Sequence, residues 1–341
     1  MAVFTCAGCA ADLTVPVCRV ALPVHAHSRA GHVLLPPLMR AGTHAIDPEP
    51  FGPPWRPWDE AEAEARGLFA PVASLSCGLA GTIVVAPGDT RGTVLIPEKC
   101  DGDCYGVDGR DGPNLACARC GLEVGTRIDD CSLWQAVRLL PDAVRCEETP
   151  EIFDETVEGV PPVGPEGAWS LYWEAAIAEA LAHLLAVSGG RAIALEDGLV
   201  AEVFGPALAL LLPPGPPRRN LALAGPGLPE TDDIALVPRH PVTGRSWPHS
   251  GAADVVPVAA EVWTWLAFGH DPVTVPVSGV MPTGVLRDDP LPKRPRNRFR
   301  PTPDVFLYTL ARLPAVRQPW LRAIYDRVSA APWAGLAELT V

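Results

Sequence analysis

The sequence predicts an α+β protein in two parts: a strand-rich N-terminal domain over residues 1–146 and a mainly helical, Pro-rich C-terminal domain over residues 169–341. Three observations predict this division. All ten cysteines lie in the first 146 residues, a Pro- and Gly-rich linker without hydrophobic period occupies residues 147–168, and a helical pattern starts directly after it. The strand-like runs of the first part are short, so we expect a loop-rich domain.

Length and composition agree with two folded domains. The chain has 341 residues, of which 48% are hydrophobic, and this is enough apolar surface for a real core despite 40 Pro and 31 Gly. The net charge of −13 is spread over both halves of the chain. Neither half offers the broad positive field that nucleic-acid binding requires.

The N-terminal part contains three strand-like runs and one short helix. The runs are Thr14–Val24, Thr82–Val85 and Thr93–Ile96. The last two flank a loop over residues 86–92, and this arrangement predicts a hairpin with a long connection. The acidic segment Asp59–Leu68 is predicted to be a helix.

The C-terminal part contains four predicted helices. The first is Trp169–Val187, which Gly189 and Gly190 follow. Each of the other three has a proline at its predicted first position. Proline lacks a backbone N–H, and at this position the N–H would have no partner within the helix. The three helices are Val258–Phe268 after Pro257, residues 302–313 with Pro303, and residues 319–330 with Pro319.

The sequence also predicts the cellular location of the protein. The first residues show neither the basic nor the apolar region of a secretory signal. The longest apolar stretches, Ala175–Val187 and Val203–Leu212, are too short to cross a bilayer. We therefore expect a cytoplasmic protein without membrane contact. The preference for Arg over Lys indicates a GC-rich bacterial genome.

The cysteines indicate metal binding. Ten clustered thiols in a reducing compartment are more typical of metal ligands than of disulfides. Two segments are alike, Phe4–Ala10 and Leu115–Gly121, because each places two cysteines three positions apart and follows the second with a small residue. Two such thiolates bind one ion from a tight turn, and the small residue permits the backbone conformation of that turn.

These two segments resemble the paired knuckles of zinc-ribbon domains. The resemblance implies a closed, structural Zn²⁺ site with Cys6, Cys9, Cys117 and Cys120 as ligands. The chain departs from the usual pattern because 107 residues separate Cys9 from Cys117, against about 15–20 in common zinc motifs. We therefore expect a sub-domain inserted in the ribbon.

A second ligand set is local in the sequence: Cys100, Cys104, Cys117 and Cys120. The segment around Cys100 and Cys104 is rich in Asp and Gly and lacks the residues that flank the knuckles. If both pairs of cysteines bind metal, Cys100 and Cys104 need partners from Cys77, Cys131 or a histidine.

The function that these observations predict is non-enzymatic. The closed cysteine set, without a phosphate-binding glycine loop or a Gly-x-Ser-x-Gly motif, predicts a zinc-stabilised interaction or regulatory protein whose partner is another protein. One alternative is a metal-dependent hydrolase that uses His25 and His27, which lie two positions apart after a strand-like run. Another is nucleic-acid contact through the basic segment 293–300. The sequence leaves open the oligomeric state and a ligand pocket in the C-terminal domain.

Overall fold

The computed structural model describes residues 1–29, 31–148, 157–164, 168–216, 218–251, 253–269, 295 and 297–330. It confirms the predicted α+β class, because strands dominate the N-terminal part and most of the helical residues belong to the C-terminal part. None of the helices in these ranges combines the length and apolarity that crossing a membrane requires. Lys293, Arg294 and Arg296 of the basic segment lie outside the described residues, as do residues 149–156 and 165–167 of the predicted linker.

The N-terminal part has eleven short strands and one α-helix in the described ranges. The strands are β1 (Ala2–Cys6), β2 (Cys18–Arg19), β3 (Thr43–Asp47), β4 (Trp55–Arg56), β5 (Leu75–Ser76), β6 (Thr82–Val85), β7 (Thr93–Leu95), β8 (Leu115–Cys117), β9 (Glu123–Ile128), β10 (Ala136–Leu139) and β11 (Val144–Glu148). The helix α1 (Glu60–Ala65) lies within the predicted acidic helix, and the Asp59 side chain caps it by accepting the Glu62 N–H.

Seven of these strands form one sheet in the order β2-β3-β6-β10-β9-β8-β7. Strand β1 pairs antiparallel with β11, and β4 pairs with β5. The predicted hairpin between β6 and β7 is wrong. Strand β6 pairs with β3 and β10, whereas β7 pairs with β8 at the far end of the sheet. Strands β6 and β7 therefore each pair with strands other than the neighbour across the loop of residues 86–92.

The two faces of the sheet pack against different cores, as the alternation of side chains along a strand requires. Ile83 and Val85 of β6 face a core that also buries Phe4 and the sulfur-bearing Cys6 and Cys117. Val84, between them, faces the largest core of the protein, which includes helices of the C-terminal part. The largest core thus contains apolar residues of both parts of the chain.

In the residues that the structure describes, the C-terminal part combines five α-helices with a sheet that the sequence did not predict. The helices are α2 (Leu171–Ser188), α3 (Leu199–Leu211), α4 (Ala260–Phe268), α5 (Pro303–Arg312) and α6 (Pro319–Ala330). The parallel strands are, in spatial order, β12 (Ile193–Ala194), β13 (Arg219–Leu223), β14 (Ile234–Arg239) and β15 (Asp254–Ala259). Helix α2 packs against α5 and β15.

Three of the four predicted helices match α2, α5 and α6 closely. The start of the fourth is wrong, because Pro257 and Val258 belong to β15 and helix α4 begins at Ala260. A proline ring fixes φ in a range that the first turn of a helix and an extended strand both accept, so the residue alone does not separate the two.

A buried polar network connects the large sheet with α5. Arg138 of β10 is only 2% exposed and forms an ion pair with Asp47 of β3, which is fully buried. The His27 Nε2 lies 2.8 Å from the same carboxylate. The ring of Tyr308 from α5 stacks on His27. Burial alone would raise the pKa of Asp47, but His27 and Arg138 hold that pKa below its ordinary value.

We predict that Arg138→Met lowers the free energy of unfolding by about 3–5 kcal/mol, because it leaves the buried Asp47 carboxylate without the guanidinium that pairs with it. Urea denaturation measures the change. Arg322→Met, which removes a solvent-exposed pair with Asp326, is the control and should cost less than about 1 kcal/mol. Equal losses of unfolding free energy in both variants would contradict a stabilising role for the buried pair of Arg138 and Asp47.

Candidate metal centre

The structure brings together the four cysteines that the sequence singled out. Cys6 ends β1 and Cys117 ends β8, while Cys9 and Cys120 lie in the turns that follow these strands. Their four sulfur atoms all lie within 4.8 Å of one another, which is close enough to hold a metal ion.

The sulfur–sulfur distances fit tetrahedral coordination. The Cys6 and Cys120 sulfurs are 3.6 Å apart, and so are those of Cys9 and Cys117. Four thiolates at about 2.3 Å from one tetrahedral ion would be separated by about 3.8 Å. Each short distance joins one knuckle to the other, so an ion at the centre would cross-link the two segments.

The two knuckles have the same backbone hydrogen bonds. In the first knuckle, the Cys6 N–H donates to the Ala11 carbonyl, and the Ala10 N–H donates to the Cys6 carbonyl. In the second, the Cys117 N–H donates to the Leu122 carbonyl, and the Gly121 N–H donates to the Cys117 carbonyl. The likeness of the two sequence segments therefore extends to their three-dimensional structure.

The residue after each second cysteine has the conformation that the sequence predicted. Ala10 has φ of +57° and Gly121 has φ of +75°, both in the left-handed region. Glycine adopts this region at almost no cost, whereas the Cβ atom of Ala10 costs roughly 1–2 kcal/mol there. The turn therefore imposes this conformation at Ala10 and is matched by the backbone freedom of Gly121.

The second knuckle stabilises a thiolate. Backbone N–H groups of Arg119 and Cys120 donate to the Cys117 sulfur. Although burial raises the pKa of Cys117, these donors outweigh it and lower that pKa to about 7. Metals bind the thiolate form, so this environment favours ligation by Cys117.

The inserted residues do not fold apart from the knuckles. Strands β2, β3, β6 and β7 arise between Cys9 and Cys117 and join the same sheet as β8 and β9. The four cysteines of the alternative ligand set do not form one group among the described residues. Cys117 and Cys120 meet Cys6 and Cys9, whereas the Cys100 thiol donates to the Ile96 carbonyl at 3.0 Å.

Cys104 lies in a second group of metal-ligand side chains. Its sulfur is 3.8 Å from Nε2 of His32, and the Cys131 sulfur is 3.4 Å from Nδ1 of the same ring. The sequence left the partner of Cys104 open, with Cys131 or a histidine among the candidates. It gave no signal for His32, which reaches this group only through the fold.

The two histidines of the hydrolase alternative have other partners. His25 is 3% exposed and its ring lies 4.2 Å from that of Trp134, while His27 contacts Asp47. Neither belongs to a group of three potential ligands among the residues that the structure describes. Burial lowers the pKa of His25 to about 3, which keeps the imidazole neutral.

A cleft of about 850 Å³ lies between the two parts of the chain, and its lining mixes charged and aromatic side chains. The N-terminal part contributes His27, Phe51 and Arg138, and α5 contributes Tyr308 and Arg312. The sequence left open a ligand pocket in the C-terminal domain, whereas this cleft is lined by residues of both parts.

Comparison with known protein families, curated proteins and solved structures finds no match to this chain. The resemblance to zinc ribbons therefore rests on the two knuckles alone.

The buried His25 predicts a pH dependence of stability. Its folded pKa, about 3, lies below the ordinary value of 6.5, so the unfolded chain binds a proton that the folded chain excludes. Stability should therefore fall as the pH drops below about 6.5, with His25 contributing about 1.4 kcal/mol per pH unit.

His25→Leu should remove this contribution, so that its difference in unfolding free energy from the wild type changes with pH between about 6 and 4. Urea denaturation over this pH range measures that difference. His240→Gln, at an exposed position, serves as the control. A difference for His25→Leu that is independent of pH would contradict the prediction.

Proposed function

We propose that this chain is a zinc-stabilised interaction or regulatory protein of the cytoplasm, in which one Zn²⁺ at Cys6, Cys9, Cys117 and Cys120 is structural. The observation that supports it most is the closed ligand set. Four protein sulfurs fill a tetrahedral coordination sphere and leave no position for a substrate, which is typical of structural and not of catalytic zinc.

Zinc fits this donor set better than most ions. Tetrahedral thiolate sites hold zinc or iron, whereas hard cations such as Mg²⁺ and Ca²⁺ require oxygen ligands. Zinc-bound thiolates also need hydrogen-bond donors around them. The N–H groups that point at the Cys117 sulfur supply two.

A surface beside the metal centre supports the interaction role. Strand β7 is the last of its sheet, and no other described strand pairs with its outer edge. Val94 and Leu95 point to opposite faces of the sheet, yet they are 49% and 45% exposed. Leu122 of the second knuckle is also exposed.

An exposed, apolar edge strand is a template for pairing with another chain. We therefore expect an extended segment of the partner protein to add to β7, with backbone hydrogen bonds along the edge and apolar contacts to Val94 and Leu95. Thr93 of β7 pairs with Cys117, so the metal centre would hold this edge in place.

The first test concerns the ion and its ligands. Purified protein should contain zinc and not iron, and Cys117→Ser should lose one equivalent of zinc and should unfold at a lower denaturant concentration than the wild type. Cys146→Ser, at an exposed strand position, should retain the zinc of the wild type. Elemental analysis and denaturation followed by circular dichroism measure both effects.

His25→Gln/His27→Gln separates this proposal from the hydrolase alternative. The double variant should keep the metal content of the wild type, because neither side chain contacts the sulfur group. Loss of a metal ion from this variant, or iron in place of zinc in the wild type, would contradict the structural-zinc account.

The second test concerns the surface. Val94→Lys/Leu95→Lys places charge on the β7 edge without changing a ligand, and Leu210→Lys places charge at an exposed apolar position of α3. Affinity purification from the source cells should recover a protein with the wild type and with Leu210→Lys but not with the edge variant. Recovery of the same proteins with all three would reject the edge as the binding surface.

A further inference from the structure

The second group of ligand side chains is outside the site described above. His32, Cys104 and Cys131 each offer one ligand atom, and these atoms all lie within 4.8 Å of one another. They come from three separate loops, because Cys104 is 72 positions and Cys131 is 99 positions after His32 in the sequence. The tertiary structure, and not local sequence, brings them together.

Both cysteines are positioned by one buried carboxylate. Asp130 is 1% exposed. Its Oδ2 accepts the Cys104 N–H at 3.0 Å, and its Oδ1 accepts the Cys131 N–H at 2.8 Å. The N–H groups of Asp103 and Tyr105 donate to the same carboxylate at 2.8 and 2.6 Å. The loop that carries Cys104 is thus wrapped around the residue that precedes Cys131.

The loop that carries His32 is attached to the same place. Ser132, directly after Cys131, donates its N–H to the Val33 carbonyl at 2.9 Å and its hydroxyl to the Gly31 carbonyl at 3.0 Å. These carbonyls flank His32 on both sides. The three ligand-bearing loops are therefore joined by hydrogen bonds that do not involve the ligand atoms themselves.

The Cys104 loop also has a conformation that only glycine permits. A Cβ atom at Gly102 would lie 1.8 Å from the Gly106 carbonyl oxygen, and it would also touch the Asp130 carboxylate. Such a contact is impossible without moving the backbone. The close packing of this loop fixes the position of Cys104 relative to Cys131.

We propose that His32, Cys104 and Cys131 form a second metal centre, which binds Zn²⁺ through two thiolates and one imidazole and keeps a fourth position open to solvent. Two sulfurs and one nitrogen are the donors that zinc accepts at a three-ligand site, with water in the fourth position. His32 and Cys104 are exposed, so small molecules can reach the ion. This centre would exchange ligands at the ion, which the closed four-cysteine centre would not.

The proposal does not depend on the first centre, and the two can be tested separately. The wild type should bind two zinc ions per chain. His32→Asn, Cys104→Ser and Cys131→Ser should each bind one, whereas Cys117→Ser should lose the other. Cys100→Ser is the matched control, because this thiol belongs to the adjoining segment but donates to the Ile96 carbonyl and lies outside the group. It should retain both ions.

Titration of the metal-free wild type with Co²⁺ gives a test that needs no variant. Thiolate-to-cobalt absorption should continue to rise up to two equivalents. Added imidazole should shift the cobalt ligand-field bands of the wild type at two equivalents. It should not shift those of Cys131→Ser, where only the closed four-cysteine centre is left.

Saturation of the wild type at one equivalent would overturn the proposal, as would zinc loss from Cys100→Ser or two zinc ions in all three ligand variants. Absence of any imidazole shift would overturn the open coordination position. If the first centre fails its own test, the zinc that disappears with His32→Asn still identifies the second.

Discussion

The meeting of two cysteine knuckles is the constraint on which the N-terminal part depends. Cys9 and Cys117 enclose 107 residues, and closing a loop of about 100 residues costs roughly 4–5 kcal/mol of chain entropy. Structural zinc binding contributes about 10–16 kcal/mol in small zinc-binding peptides, which exceeds that cost. One ion can therefore hold β1 against β8 even though most of the domain lies between them. The strand β7, which carries the exposed apolar edge, is in turn fixed by pairing with β8.

Local features of this centre could be predicted from the sequence because they are set by local chemistry. The left-handed φ angles of Ala10 and Gly121 follow from the tight turn of each knuckle. The helix at Pro303 follows from a proline that fits the first turn, next to an amphipathic run. In these places the sequence neighbours of a residue determine its conformation.

Long-range pairing could not be predicted in the same way. Strands β6 and β7 are separated by a loop of seven residues, yet each pairs with strands from elsewhere in the chain. The parallel sheet of the C-terminal part was missed because its strands have only two to six residues and lie among prolines and glycines. His32 joins Cys104 and Cys131 through hydrogen bonds of Ser132 to the backbone, which leave no pattern in the sequence.

The most direct test of the central claim is X-ray absorption at the zinc edge of the Cys131→Ser variant, which isolates the four-cysteine centre. The account predicts four sulfur ligands at about 2.3 Å and no nitrogen or oxygen in the first coordination shell. A shell that contains nitrogen or oxygen, or a variant without zinc, would contradict the claim that the two knuckles share one structural ion.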